Sequence, residues 1–301
     1  MANFQRAWFY PLFFLILASG VLFFFWELTK PPYLTFSDSA KFADVGRQIV
    51  SGEGFSTNFT FFSPKDFFEE NGKLPFTTAW FPLFPVILAL IFFIFGIGDN
   101  VVIFTSAFFF SLSSILVFLI AKKFFGKIVG VFSAAAFIFT QPMLEYASIG
   151  ASESLFIPEI LLAVYLLLFP QRWTWALAGL AAGLMFLTRP QALIYLGGLI
   201  ILIFLYRRKR LAINFFAGLI LLLGPLFVFG KIAGLNFFGQ QPVSLLFEHS
   251  SLSPQNITLR GGFFQFGIGD IFTNFKPLLV KLFYHLYNFY KTLPTFISPY
   301  L

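Results

Sequence analysis

Four short stretches carry the side chains that could do chemistry. In the first, Ser37-Asp38-Ser39 opens a run where Phe42, Val45 and Ile49 recur at helical spacing against Lys41, Asp44, Arg47 and Gln48. This pattern predicts an amphipathic helix over 38–50, lying on a membrane surface and closed by Gly52 and Gly54. Asp38 at its start is an N-cap, a general base, or both, since free N–H groups at a helix start favour a charged carboxylate. The second stretch, Ala151-Ser152-Glu153-Ser154-Leu155, sends a carboxylate into an apolar run, which is costly unless the acid is paired or functional. Six positions on, Glu159 falls on another helix face, as a buried partner or a protonated acid, while Glu145 reads as a solvated helix-end charge. Third comes Leu187-Thr188-Arg189-Pro190, a lone arginine between two apolar runs. It either snorkels to lipid headgroups or closes its planar fork on a phosphate. The fourth is Glu248-His249, a candidate metal or substrate contact. Asn58-Phe59-Thr60 and Asn256-Ile257-Thr258 fit the glycosylation sequon, a pattern frequent by chance.

The elements that must position these groups are set by composition. Apolar residues make up 58% of the chain and charged residues 11%, with a mean hydropathy of +0.84. Soluble domains carry about 25% charged residues, so lipid is the main solvent here. There is no cysteine, which excludes disulfides, thiolate catalysis and Cys-ligated metals. The net charge of +7 comes from basic residues that flank apolar runs, so membrane topology explains it and nucleic acid is not an expected partner.

Apolar runs lie at 8–28, 80–97, 101–120, 128–145, 154–169, 173–188, 192–206 and 211–230. A span needs about 20 such residues. The first run is too long for a signal-peptide core and reads as a retained helix. Two short basic loops, 122–127 (KKFFGK) and 207–210 (RRKR), belong on the cytoplasmic side. Every one of the 13 Asp and Glu residues then falls on or toward the opposite face. With Arg6 inside, the loop from 30 to 79 is outside, and an odd number of crossings must separate it from Lys122. One of the two runs between them therefore does not cross. The run at 80–97, with Pro82 and Pro85 near its start, is assigned to the outer leaflet, and seven spans remain. A domain of 1–230 results, with helices 38–50 and 80–97 in its first outer loop (30–99). Residues 231–301 form a further outer loop and the truncated start of another membrane helix near 281–290.

In this order the motifs resemble the polytopic glycosyltransferases of the GT-C type. Within that class the chain is similar to the family of aminoarabinose transferases (ArnT-like), Rgt-type sugar transferases and protein O-mannosyltransferases. The resemblance rests on Ser37-Asp38-Ser39 with Phe42 and Gly52-x-Gly54, then on Trp80-Phe81-Pro82-Leu83-Phe84-Pro85 and Lys122-Lys123-Phe124-Phe125-Gly126. Ser152-Glu153-Ser154-Leu155 and Gly179–Gly183 running into Thr188-Arg189-Pro190 complete it, over roughly residues 1–230. It implies an all-α, seven-span module with two juxtamembrane helices in the first outer loop. It implies catalytic acids at Asp38 and Glu153, and Arg189 on the phosphate of a carrier lipid. Relatives often carry Asp-Glu where this chain has Asp38-Ser39, and they are usually longer, so the chain reads as a fragment or a reduced form.

The resemblance and the topology together give an expected activity. An extracytoplasmic site has no nucleotide-sugar pool, so the donor would be a polyprenyl-phosphate sugar in the bilayer and the acceptor a lipid, glycan or protein. Asp38 would act as general base in an inverting transfer, and Arg189, with a divalent cation held by Glu153, would stabilise the leaving phosphate. The competing class, a multi-span transporter or channel, calls for mid-bilayer charges or repeated halves. No repeat is present, and Glu159 is the one acid deep within a span.

Overall fold

A computed structural model describes residues 2–29, 34, 37–58, 74–75, 82–189, 191–205 and 209–232, with six single positions between 276 and 287. The described chain is almost entirely helical: α1 (Ala2–Thr29), α2 (Ser37–Val50), α3 (Leu83–Phe95), α4 (Asp99–Phe125), α5 (Lys127–Ile138), α6 (Gln141–Ser148), α7 (Glu153–Leu167), α8 (Arg172–Thr188), α9 (Ala192–Leu205) and α10 (Lys209–Ile232). One small antiparallel pair, β1 (Ser56–Thr57) with β2 (Leu74–Pro75), joins Ser56 to Pro75 and Thr57 to Leu74.

Two compact units divide the chain. The first, Met1–Thr60 with Phe68–Phe237, holds every element above. In the second, Phe61–Phe67 with Phe238–Leu301, the described positions are helical and exposed, and most are apolar, such as Phe283 and Tyr287.

Three apolar clusters build the first unit. One joins α1, α4, α5 and α6 around Phe14, Phe118 and Ile138. Another joins α7, α8, α9 and α10 around Trp175, Met185 and Phe215. The two groups of helices meet where α4 packs along α7. The third cluster ties α2 and α3 to the starts of α4 and α7 through Phe42, Phe84, Leu88, Phe92, Val102 and Leu155. The outward faces are apolar too: Phe93 is 79% exposed and Phe104 and Phe132 are 71% exposed, a surface suited to lipid and not to water.

Glycines set the closest approaches. Gly179 and Gly183 present a small-residue stripe on α8, and a Cβ at Gly179 would collide with the Phe215 carbonyl of α10. Gly218 on α10 meets the Ala176 carbonyl in the same way. Close backbone contact of this kind drives helix association where lipid removes the hydrophobic incentive. On α2, a Cβ at Gly46 would lie 3.1 Å from Leu88 Cβ, so Gly46 lets α3 lie flush against α2.

Three of the helices, at Phe9–Glu27, Asp99–Phe125 and Leu211–Val228, are long and apolar enough to cross a membrane, or four if a bent pair counts as one. That pair corrects the continuous span expected at 128–145. α5 and α6 meet at 56°, broken at Phe139-Thr140. Pro142 explains the break: inside one long helix it would remove a hydrogen bond and clash, whereas in the first turn of α6 it costs nothing. α7 and α8 are 15 and 17 residues long, shorter than a full span, and α3 has 13.

The helices share two chemically distinct ends. At one, Gly126 (φ +89) turns α4 into α5 and carries Lys122, Lys123 and Lys127. These ammonium groups sit over the rings of Phe118 (5.6 Å to the centroid), Phe169 (5.0 Å) and Tyr10 (4.5 Å). Arg172, at the start of α8, lies at this basic end as well. At the other, α4, α7 and α8 present Asp99, Glu153 and Arg189, and Gly150 (φ +70) turns α6 into α7.

Candidate active site

The site is built where α7 begins and α8 ends. Ser152 precedes α7, and Glu153 is its first residue, where the helix dipole favours a negative charge. Thr188 closes α8, and Arg189 leaves it in extended conformation with its N–H donating to the Met185 carbonyl. The two loops meet through side chains. Arg189 Nη1 stands 2.6 Å from Glu153 Oε2 and donates to Ser152 Oγ at 3.0 Å, and Nε donates to Gln191 Oε1 at 3.3 Å. Both charged side chains are mostly covered, Arg189 18% and Glu153 19% exposed, and Ser152 is buried. Each group that looked unpaired in the sequence is the other's partner. Arg189 therefore does not snorkel alone. No hydrogen bond or ion pair joins its Nη2 to a described residue, which leaves those N–H donors available to an anion.

A second tie lies below the first. Glu159 is buried on α7, about 9 Å further along the axis than Glu153 at 1.5 Å per residue. Its Oε1 is 2.8 Å from Thr188 Oγ1, which is also 3.1 Å from the Leu184 carbonyl oxygen. Glu159 Oε2 has no hydrogen-bond partner among the described residues.

Asp38 is on α2, which the third apolar cluster ties to the start of α7. α2 begins at Ser37, so Asp38 is in the first turn and not at the expected cap position. Phe42, one turn on, and Leu155, two residues past Glu153, are buried in the same cluster. The two loops also touch directly: a Cβ at Gly150 would lie 3.2 Å from Leu34 Cδ2 and 2.8 Å from Val102 Cγ1. One turn after Asp38, burial lowers the Lys41 ammonium from 10.5 to about 8, and the charge of Asp38 acts in the opposite direction.

Asp44 was not singled out by the sequence. Although they lie on the polar face of α2, Asp44 and Gln48 are buried. Asp44 Oδ2 accepts from Thr57 Oγ1 (2.9 Å) and from the Asn58 N–H (2.7 Å), and Oδ1 pairs with Arg47. The carboxylate is the hub that folds β1 back onto α2. Asn58, the first sequon asparagine, is committed to this hub, and the second sequon lies outside the described residues. Glu145 is exposed as expected, with Gln141 Nε2 donating to it at 2.8 Å. Glu248 and His249 also lie outside the described residues.

The apolar cavity of about 310 Å³ among Phe124, Val164, Leu167, Leu168, Trp175 and Leu202 is not part of this site. Val164 follows Glu153 by 11 positions on α7, which puts the cavity about 16 Å away, at the basic end.

Residues 77–230, more than half of the chain, match the model of the family described as dolichyl-phosphate-mannose-protein mannosyltransferase. The chain belongs to that family. It is a membrane glycosyltransferase of the mannosyltransferase type. Neither a curated protein nor a solved structure matches the chain. Glu153, Glu159, Thr188 and Arg189 lie within the matched segment, whereas Asp38 and Asp44 precede it.

The pair as it stands offers a divalent cation a single carboxylate that is already paired. Glu153 is that carboxylate, and it is neutralised by Arg189, whose charge repels a second cation. Among the described residues no group of three or more His, Asp and Glu could hold a metal.

Proposed function

We propose that this mannosyltransferase-family chain transfers a sugar from a polyprenyl-phosphate carrier to an acceptor hydroxyl on the extracytoplasmic face of the membrane, with inversion. The observation that carries this reading is the mostly covered Arg189–Glu153 pair, whose Nη2 bonds no described residue, at the end of the bundle opposite the exposed lysines. Short basic connections stay in the cytoplasm, which directs the acidic end outward. A seven-span module then requires α3 to rest beside α2 as a juxtamembrane helix. Its packing on α2 and its length of about 20 Å, against a hydrocarbon core of about 30 Å, favour that.

In the proposed step the Asp38 carboxylate takes the proton of the acceptor hydroxyl. The acceptor oxygen forms a bond to the anomeric carbon while the bond from that carbon to the phosphate oxygen breaks, and its electron pair leaves on the carrier phosphate. Arg189 meets that developing charge with two N–H donors, which a guanidinium does better than a point charge. Glu153 orients the guanidinium. With Arg189 in this role no cation is needed at the pair, so transfer should survive chelation. Acceptor choice is assigned to the segment after residue 230, where Glu248 and His249 lie.

The test is transfer by the purified, detergent-solubilised full chain from a panel of radiolabelled polyprenyl-phosphate sugars, wild type beside Asp38→Asn. Loss of transfer in a normally inserted variant is the expected result. An active variant removes Asp38 as the base, and no transfer from any donor by the wild type overturns the carrier-lipid reading.

A further inference from the structure

We propose that Glu159 is a protonated positioning residue whose hydrogen bond to Thr188 keeps Arg189 aimed at the site while the Arg189–Glu153 pair opens for the donor phosphate. The inference rests on the phosphate role of Arg189 proposed above.

A proton count carries the first part. Thr188 Oγ1 has one proton and two acceptors in reach, Glu159 Oε1 at 2.8 Å and the Leu184 carbonyl at 3.1 Å. A hydroxyl supplies one O–H donor and can accept as well. Placing a proton on Glu159 satisfies both contacts: the carboxylic acid donates to Thr188 Oγ1, and Thr188 donates back to its own helix. It also suits Oε2, which is buried without a partner among the described residues and would be an uncompensated charge on a carboxylate. The nearby cation is engaged elsewhere, because Arg189 is committed to Glu153, Ser152 and Gln191.

Connectivity carries the second part. Thr188 is the last residue of α8 and is covalently next to Arg189, while Glu159 is on α7, the helix that Glu153 begins. Two ties therefore hold the end of α8 to α7. The outer tie is charged and mostly covered, and the inner one is neutral and buried. The donor's phosphodiester, a monoanion whose charge grows as its bond to the sugar breaks, competes with Glu153 for Arg189 and weakens the outer tie. The inner tie contains no charge for the phosphate to attract, so it keeps the backbone of Arg189 in place.

The variants Glu159→Gln, Glu159→Leu, Thr188→Val and Arg189→Gln separate the alternatives in the full-length protein. Glutamine retains an N–H donor for Thr188, so E159Q should keep donor KM and kcat near the wild-type values. E159L and T188V lose the tie, and each should raise donor KM roughly three- to tenfold, the size of one hydrogen bond. The double variant E159L/T188V should be no worse than either alone. T188V is nearly isosteric and covers the case in which E159L fails to fold. In the infrared difference between wild type and E159Q, a protonated carboxyl C=O band is expected at neutral pH. Carboxylate bands in its place overturn the protonation, and an E159Q as damaged as E159L shows that the acid acts through its charge. Wild-type KM in T188V overturns the positioning role. If R189Q transfers normally, the phosphate reading of Arg189 is what fails.

Discussion

The two ends of this helix bundle are made by the same helices and do opposite things with charge. At the basic end Lys122, Lys123 and Lys127 are exposed and lean on aromatic rings, the connections are short, and the nearby cavity is apolar. At the acidic end Asp99 and Glu145 are exposed, but other polar side chains are covered and paired across elements: Arg189 with Glu153, Asp44 with Thr57 and Asn58, Thr188 with Glu159. A solvated ammonium over a ring is worth about 0.5–1 kcal/mol and holds nothing in a unique geometry. A covered ion pair has been desolvated already, so its donors are ready for a substrate charge without reorganisation. The difference teaches that an apolar cavity and a cluster of covered charges can occupy opposite ends of one bundle.

That contrast is most exposed at Arg189. Arg189→Gln or Glu153→Gln should lower the rate of sugar transfer by about 100-fold, the usual cost of one donor aimed at a developing oxyanion. Arg189→Lys should restore little, because an ammonium lacks the fork. Lys123→Gln, at the other end, should leave transfer unchanged in the same assay. Equal losses at both ends would mean that the asymmetry concerns membrane insertion and not catalysis.

The scaffold shared by both ends is next. Gly179→Ala drives a methyl group into the α10 backbone, where no flexible side chain can yield. Overpacking of this kind costs about 1–3 kcal/mol, and a contact with main chain belongs at the upper limit. A lowered thermal midpoint in detergent, with both ends loosened together, is the expected result. Gly197→Ala, on α9 with nothing within 4 Å, is its neutral counterpart.

How much of this was legible in the sequence differs between the same two ends. The basic loops were plain, because short Lys/Arg-rich connections between apolar runs have one physical explanation. Glu153 and Arg189 were each visible as a puzzle, a charge where lipid makes charge expensive. Their pairing was not visible, since 36 positions separate them and only the α7–α8 hairpin brings them together. The role of Asp44 was not visible for a related reason. Helical periodicity separates apolar from polar faces but cannot tell a polar face in water from one covered by a strand thirteen residues later. The bend at Phe139-Thr140 did leave a local signal, Pro142, which the apolar run around it masked.

Asp44 offers a smaller test confined to the acidic end. Asp44→Ala leaves the Thr57 hydroxyl and the Asn58 N–H without their acceptor and should cost about 1–3 kcal/mol. Faster hydrogen exchange and proteolysis across 44–58 should follow, with the 122–127 turn unaffected. Global unfolding instead would mean that α2 and β1 are integral to the bundle.

The smallest effect expected is a pH dependence at Lys41. Burial lowers its folded-state value to about 8, against 10.5 for the free side chain. Between those limits the unfolded chain holds more protons than the folded one, so stability rises as pH increases from about 8 to 10.5, and the cost of burying the ammonium is fully present below 8. Lys41→Met should therefore stabilise the protein at neutral pH and flatten the rise. Denaturation at pH 7.5 and pH 10 measures both, with the exposed Lys123→Met as the control for generic charge effects. A slope that persists in Lys41→Met would assign the pH dependence to another group and reduce Lys41 to the same solvated role as the lysines of the basic end.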